Sequence, residues 1–202
     1  MFCPPIATFS NKDRAGEKDL AEAPVLSLEL DQHPRAAREE LEHLLGRPTL
    51  VVRSGGVWTN LTTGELEDKL HMRWRLNVPA RGAAIVKLKR ARQLATALVG
   101  GDPTNIPACH PIRWPGSWHR KAEPRLCEIV STDHLDNELD LDVALAVLEV
   151  VTTPPPKTNG QAGPHQQSAD GQGTRNWDDD FGNIITGEQF HPILGASPRV
   201  EF

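Results

Sequence analysis

Residues 69–76 read KLHMRWRL, a strict alternation of basic and apolar side chains. Neighbouring side chains of a β-strand point to opposite faces of the sheet, so this alternation predicts a strand with one buried face. The apolar side chains of the stretch are Leu70, Met72, Trp74 and Leu76. The basic side chains are Lys69, His71, Arg73 and Arg75. We therefore expect a sheet whose second face is chemically active rather than a solvated edge.

A second stretch, VLSLELD at residues 25–31, repeats the same alternation. It places Leu28 and Leu30 on the buried face and Glu29 and Asp31 on the polar face. Two carboxylates at alternate positions of one strand lie about 6–7 Å apart at the backbone. That spacing suits Mg²⁺ or Mn²⁺, because hard divalent cations prefer oxygen ligands. A solvated acidic face is the alternative explanation for this pair.

A third carboxylate is expected for such a metal site, and Asp102 in the segment LVGGDPT (residues 98–104) is the candidate. The two preceding glycines allow the backbone to turn sharply, and the following proline restricts the conformation of the chain. Gly-Asp-Pro is also a common turn without a catalytic role. Only its combination with the two alternating strands favours Asp102 as a metal ligand.

Basic side chains on the polar face of residues 69–76 suit a phosphate group. Lys69, Arg73 and Arg75 would supply positive charge, and His71 would contact a triphosphate or steer the reacting phosphate. A lone histidine is usually structural. Here the basic neighbours on the same face favour phosphate binding.

The densest polar segment is HPIRWPGSWHRK at residues 110–121. Its candidate phosphate ligands are Arg113, Ser117 and Lys121, held around a rigid Pro-Gly turn. Trp118 and Trp114 offer surfaces for base stacking, and Trp114 is also a candidate for the core. This segment predicts a nucleotide-binding or single-strand-binding wall.

Composition limits the classes of protein that this chain can be. The 202 residues and 38% hydrophobic content support one modest core. The net charge of -5 is unevenly distributed along the chain. Residues 24–130 are positively charged, with 16 Lys and Arg against 11 Asp and Glu. The chain has no Tyr, which excludes a tyrosine-dependent rolling-circle initiator, and no G-x-x-x-x-G-K-[ST] loop, which leaves a helicase motor unsupported. Three cysteines at unrelated spacings and no apolar membrane or signal segment predict a cytoplasmic protein.

The pattern along the chain predicts four regions. Residues 1–23 are expected to be a flexible or truncated leader, and residues 24–150 the folded domain. Within it we expect strands over 25–31, 50–52 and 125–130, a turn-rich loop over 53–64, and helices over 34–45, 87–99 and 140–150. Residues 151–176 are rich in Pro, Gly and Gln and predict a disordered linker. Residues 177–202 are interpreted as the start of a further segment or domain.

The order of these motifs resembles the archaeo-eukaryotic primase superfamily, specifically the primase domains of phage and plasmid primase-helicases. The matching motifs are ELD (residues 29–31), RSGG with KLH, GGD (residues 100–102) and RWPGSWHRK (residues 113–121). The resemblance covers about residues 5 to 150. Within this pattern, Glu29 replaces the more usual Asp, and Lys69 stands where a small hydroxyl residue is common.

The resemblance implies a fold and a set of roles. The fold would be α+β, a catalytic palm with an RNA-recognition-like antiparallel sheet, helices on one face and the active site on the other. Glu29, Asp31 and Asp102 would bind Mg²⁺ or Mn²⁺, and His71 would contact the incoming nucleotide. Arg113 and Lys121 would lie beside its phosphates.

The leading functional hypothesis is a DNA primase-polymerase that joins nucleotides on single-stranded DNA by two-metal phosphoryl transfer. Expected partners are a single-stranded DNA template, nucleoside triphosphates and a replicative helicase in cis or in trans, without a membrane. One alternative is a catalytically weakened or truncated replication module that binds single-stranded DNA or nucleotide without synthesis. A second alternative is a nuclease that uses the same carboxylates.

Overall fold

The computed structural model describes residues 6–13, 15–121, 123–131 and 134–153. The strands are β1 (Thr8–Phe9), β2 (Leu20–Leu30), β3 (Leu50–Thr59), β4 (Leu66–Ala80), β5 (Trp118–His119), β6 (Arg125–Leu126), β7 (Glu128–Ser131) and β8 (Glu138–Leu139). The α-helices are α1 (Pro34–Leu45), α2 (Ala83–Leu98) and α3 (Leu141–Thr152), and short 3-10 helices span Glu17–Asp19 and Pro103–Asn105. The predicted segment 177–202 and the predicted linker from residue 154 onward lie outside the described residues.

The main sheet places the two alternating stretches side by side. Its strand order is β1-β2-β4-β3-β7, with all of these neighbours antiparallel and with β8 added in parallel to β4. Glu29 of β2 lies directly opposite His71 of β4, and His71 lies opposite Val52 of β3. The β5 and β6 strands form a separate two-stranded hairpin. Cross-strand partners share a face of the sheet, so this register puts the predicted carboxylate and the predicted histidine together.

The apolar face of the sheet packs against the three helices. Leu26, Leu28 and Leu30 of β2 share one hydrophobic core with Met72 and Trp74 of β4. The helices contribute Ala37, Leu41 and Leu45 from α1, Leu88, Ala91, Leu94 and Ala95 from α2, and Leu141, Ala144 and Leu148 from α3. Burial of each large apolar side chain stabilises the folded state by roughly 1.5–3 kcal/mol. The predicted α+β fold, with an antiparallel sheet and helices on one face, is confirmed.

Helix α2 is the longest of these helices in the part of the chain that the structure describes, at 16 residues. None of the described helices is both long enough and apolar enough to cross a membrane.

Two predictions about local structure were wrong. The leader expected over residues 1–23 contains the first part of β2, which begins at Leu20, and β1, which pairs with it. Residues 53–56 were expected to form a turn but lie inside β3. Gly55 has a φ of 78°, and the pairing register between β3 and β4 shifts between Arg53 and Val57. The glycines therefore form a β-bulge within a continuous strand, and the actual turn follows at residues 60–65.

The bulge at Gly55 allows the β5–β6 hairpin to cross closely over β3. A Cβ atom at Gly55 would lie 2.7 Å from the Cβ of His119 and 2.9 Å from the carbonyl oxygen of Arg125. Those distances are too short for any side chain larger than hydrogen. The glycine therefore fixes how near the hairpin comes to the polar face of the sheet.

Replacing Gly55 by alanine is expected to destabilise the domain more than the same change at Gly64. Both glycines have positive φ, 78° and 73°, so both substitutions incur about 1–2 kcal/mol of backbone strain. Nothing lies within 4 Å of a Cβ at Gly64, whereas Gly55→Ala also displaces the hairpin. We expect an additional loss of about 1–3 kcal/mol for Gly55→Ala, measured by urea denaturation. Equal losses for the two variants would contradict the close approach.

Candidate active site

The polar face of the sheet, the turn after α2 and the β5–β6 hairpin enclose a cleft of about 1190 Å³. Its lining includes eight of the ten side chains predicted from the sequence. These are Glu29, Asp31, Lys69, His71, Asp102, Arg113, Ser117 and Lys121. The acidic members come from β2, from the residue that follows it and from the turn after α2, and most of the basic members come from the segment that ends in the hairpin. We call the part of the lining that holds Glu29, Asp31 and Asp102 the acidic wall, and the part that holds Arg113 to Lys121 the basic wall.

Glu29 is the most perturbed carboxyl group of the cleft. Burial, and next the negative charge of Asp31, raise its pKa to about 7. Its Oε2 accepts a hydrogen bond from the side-chain amide of Asn105 at 3.1 Å. The Nε2 atoms of His71 and His110 each lie 3.8 Å from one of its two oxygens. Negative charge at Glu29 is thus poorly compensated by its surroundings.

His71 lies on the floor of the cleft and is only 5% exposed. Burial, followed by the positive charges of Arg73 and Arg113, lowers its pKa to about 4. The imidazole is therefore neutral at physiological pH, and its approach to Glu29 is not an ion pair. Its Nδ1 atom is buried and forms no hydrogen bond of good geometry among the described residues, although the nearby Arg113 backbone acts on the ring as a weak hydrogen-bond acceptor. A phosphate oxygen is one group that would satisfy this nitrogen.

The other two carboxylates are engaged in local contacts. Asp31 forms an ion pair of 3.1 Å with Lys69. Asp102 accepts a hydrogen bond of 2.8 Å from the backbone amide of Thr104, which caps the Pro103–Asn105 helix and lowers the pKa of this carboxyl. In the described ranges, no three His, Cys, Asp or Glu side chains are close enough together to hold a metal ion. The predicted cluster of three carboxylates is therefore not assembled by these side-chain positions.

The donor set of the acidic wall nevertheless fits a hard divalent cation. Glu29 and Asp31 offer carboxylate oxygens, which Mg²⁺ and Mn²⁺ prefer. The raised pKa of Glu29 arises in part from the nearby charges of Asp31 and Asp102, and a cation would offset that repulsion. Glu29 and Asp31 are the residues that would hold it. Asp102 would have to give up its capping bond to join them.

The basic wall carries several positive charges close together. Burial lowers the pKa of His119, and the cations Arg113, Lys121, Lys69 and Arg125 lower it further. The hairpin is fixed by a backbone bond of 2.8 Å from Cys127 to the Ser117 carbonyl. The Ser117 hydroxyl donates to the Trp114 carbonyl at 2.7 Å, so its proton is already used within the protein.

Both tryptophans of the segment 110–121 are about half exposed. The interpretation of Trp114 as a core residue was wrong, because 47% of its surface is exposed. Trp118 lines the cleft beside the basic residues of the hairpin. Its position is compatible with base stacking.

Two predicted phosphate ligands do not line the cleft. Arg73 shares the face of His71 but is buried, and it donates to the Arg113 carbonyl at 2.9 Å. It therefore supports the basic wall from below. Arg75 lies further along β4, beside β8, and pairs with Glu138 at 3.1 Å. The alternation correctly predicted that both arginines lie on the same face of β4 as His71. The strand is longer than the cleft, however, so residues further along this face lie outside it.

Sequence reasoning missed three residues that shape the site. His110 approaches Glu29, Asn105 donates to it, and buried Arg92 donates to the Asn105 carbonyl. Asn105 is separated from Asp102 by only two residues, so the motif GGDPTN held a usable signal. Arg92 lies within an otherwise apolar helical stripe and gave no such signal.

Neutralising Glu29 is expected to stabilise the metal-free protein at about pH 8. The pKa of this carboxyl is about 7 in the folded protein against 4.5 as the reference, so the folded state retains the proton and loses stability as the pH rises through this interval. We expect Glu29→Gln to raise the free energy of unfolding by up to about 3 kcal/mol at about pH 8 and to leave it nearly unchanged at about pH 4. Urea denaturation in EDTA measures both values.

The matched control is Glu39→Gln, which neutralises an exposed carboxylate on α1. This variant should change the free energy of unfolding by less than about 0.5 kcal/mol at either pH. Equal effects of the two substitutions would mean that Glu29 ionises like a solvated carboxyl group.

Comparison with known proteins supports the fold. No family model matches the sequence, and no curated protein matches it. The structure is similar to the AEP domain of the primase-polymerase (PrimPol) of cyanophage S-2L, with a TM-score of 0.54. The similarity covers 71% of this chain and 68% of that chain, with 18% sequence identity. The chain therefore has the fold of an archaeo-eukaryotic primase domain.

Proposed function

We propose that this chain is a primase-polymerase domain that joins nucleotides on a single-stranded DNA template. The observation that carries the proposal is the cleft, whose lining combines the carboxylates Glu29 and Asp31 with the cations Arg113 and Lys121 of the basic wall. Carboxylates together with cations are the arrangement that phosphoryl transfer from a triphosphate requires. The likeness in fold to a primase-polymerase domain supports the same conclusion.

Glu29 and Asp31 would hold Mg²⁺ or Mn²⁺ in this proposal. Such ions activate an attacking hydroxyl and stabilise the leaving oxygen of a phosphoryl group. Arg113 and Lys121 would neutralise the triphosphate from the basic wall. Neutral His71 would form a hydrogen bond to a phosphate oxygen from the floor of the cleft. The contribution of the protein is then mainly positioning and charge neutralisation.

The expected substrates and partners follow from this site. Nucleoside triphosphates would enter between the two walls, and single-stranded DNA would lie along the basic side near Trp118. A replicative helicase in cis or in trans, a phage or plasmid origin and a cytoplasmic location remain predictions of the sequence.

A second candidate is a replication module that binds single-stranded DNA or nucleotide without synthesis. Two contacts favour it. Lys69 forms an ion pair with Asp31, and the backbone amide of Thr104 donates a hydrogen bond to Asp102. Both carboxylates therefore already have partners inside the protein. If these contacts persist when ligands bind, the basic wall would still bind nucleic acid. Binding would then fall with salt and would not depend on a divalent cation.

The two candidates differ in nucleotide incorporation. With Mn²⁺ or Mg²⁺ and a single-stranded template, we expect the wild-type protein to incorporate labelled nucleotide. Asp31→Asn should reduce the rate by roughly two orders of magnitude or more, because the residue holds the cation that activates the reaction. Glu138→Gln neutralises a carboxylate outside the cleft and should retain the wild-type rate. Gel electrophoresis of the extended products measures all three.

The remaining outcomes identify the alternatives. If neither the wild-type protein nor Asp31→Asn incorporates nucleotide, and both bind single-stranded DNA without a divalent cation, the protein is a binding module and not a polymerase. Cleavage of DNA in the absence of nucleotides would identify a nuclease.

Loss of a cation from the basic wall is expected to weaken nucleotide binding more than loss of a cation elsewhere on the same sheet. Lys121→Gln removes a charge that lines the cleft, whereas Arg75→Gln removes one that does not. We expect the KM for nucleotide to rise about tenfold for Lys121→Gln and to change little for Arg75→Gln, because a charged hydrogen bond contributes about 1.5–3 kcal/mol. Steady-state incorporation kinetics measure both constants. An equal rise in both variants would indicate attraction by general charge.

A further inference from the structure

Arg92 is a buried cation that connects two parts of the acidic wall. It belongs to α2 and is only 3% exposed. Its Nη1 donates to the Ser27 hydroxyl of β2 at 2.7 Å, and its Nη2 donates to the Asn105 carbonyl. One guanidinium group therefore joins β2 to the turn that follows α2. The planar fork of arginine suits this bridge, because its donors have fixed relative directions.

The bridge continues from Asn105 to Glu29. Asn105 is buried, and its side-chain amide donates to Glu29 Oε2 at 3.1 Å. Its backbone amide donates to the Asp102 carbonyl at 3.1 Å. Asn105 thus contacts one acidic residue through its side chain and the other through its backbone. A displacement of Asn105 would therefore break its hydrogen bond to the Glu29 carboxylate and its backbone bond to Asp102.

A buried arginine is costly unless its charge has a function or a partner. Burial lowers the pKa of Arg92 to about 10, so the group remains charged at neutral pH. The negative charge that acts most on the pKa of Arg92 is that of Glu29, and Asn105 links the two residues by hydrogen bonds. Hydrophobic residues of similar volume often replace a buried charge without loss of stability. Packing alone therefore gives little reason for arginine at this position.

We propose that Arg92 is a positioning residue for the Glu29 carboxylate and that it acts through Asn105. The guanidinium holds the 103–105 turn against β2, and the Asn105 amide then orients the Glu29 carboxylate toward the cleft. This inference rests on the proposed function, because it assumes that Glu29 holds a divalent cation. Groups that orient metal ligands in this way typically change metal affinity by about 10- to 100-fold when they are lost.

A role through positive charge and a role in positioning Glu29 predict opposite changes in cation affinity when Arg92 is replaced. If Arg92 acted only through its positive charge, its removal would strengthen the binding of a cation at Glu29. If it positions Glu29, its removal weakens the binding of the cation even though a positive charge is lost. Asn105→Leu separates the effects further, because it deletes the amide donor without changing the net charge.

The test is the affinity of the full chain for Mn²⁺, measured by electron paramagnetic resonance of the free ion. We expect Arg92→Met, Arg92→Lys and Asn105→Leu each to weaken the binding of Mn²⁺ by about 10- to 100-fold. Arg92→Lys retains the charge but not the forked geometry. The matched control is Arg90→Met, which removes an exposed arginine from the same helix and should leave the affinity unchanged.

Three results would overturn the inference. If folded Asn105→Leu binds Mn²⁺ as tightly as the wild type, the contact between Asn105 and Glu29 has no effect on the metal site. This result overturns the inference even where the Arg92 variants fail to fold. Tighter binding of Mn²⁺ by Arg92→Met would show that Arg92 acts through charge. Reduced unfolding stability of Arg92→Lys with wild-type Mn²⁺ affinity would show a structural role only.

Nucleotide incorporation by the same samples separates this inference from the proposed function. A wild-type protein that binds Mn²⁺ but incorporates no nucleotide would contradict the proposed function, while the affinities of the variants still decide the role of Arg92. A wild-type protein that incorporates nucleotide, with variants of unchanged Mn²⁺ affinity, would contradict the inference alone. A wild-type protein that binds no Mn²⁺ would contradict both.

Discussion

The structure depends on the antiparallel pairing of β2 with β4, in which Glu29 lies opposite His71. Because side chains alternate along both strands, this one register sends every leucine of the two stretches to the helices and every polar residue to the other side. A shift by one residue would place Glu29 in the apolar core and Leu28 in the cleft. Burial of the core side chains therefore also determines the composition of the site.

The same pairing accounts for the unusual electrostatics of the cleft. Glu29 and His71 are held near the middle of the sheet, where neighbouring elements exclude water from both of them. Burial favours the neutral form of each group, so the pKa of Glu29 rises and that of His71 falls. An acid and a base side by side thus avoid forming an ion pair. The buried Glu29 lowers the free energy of unfolding progressively as the pH rises from 4.5 to about 7, and a bound cation would offset this loss.

The sequence predicted the parts of the molecule that depend on local periodicity. The alternation in residues 25–31 and 69–76 was sufficient to identify the buried face and to predict polar faces for Glu29 and His71, whereas the register that sets these two residues opposite each other is a finding of the structure. It could not distinguish Arg73, which lies beneath the basic wall, from Arg75, which pairs with Glu138, because parity gives a face but no position along it. The sequence predicted a turn at Gly55, where the structure has a bulge. The glycine is required by a contact with a hairpin more than 60 residues away, which a local pattern does not reveal.

The two walls of the cleft are attached to the sheet by different means. The hairpin of the basic wall crosses β3 at Gly55, where only a hydrogen atom fits between backbone and hairpin. The turn of the acidic wall is tied to β2 by Arg92, through hydrogen bonds that a side chain can shift. Close packing resists displacement more strongly than a hydrogen-bonded chain does, because overlap of atoms costs more than a bent hydrogen bond. Under the proposed function, the acidic wall is therefore the one that would adjust its carboxylates to a cation, and Asp102 would exchange its capping bond within a turn that stays anchored.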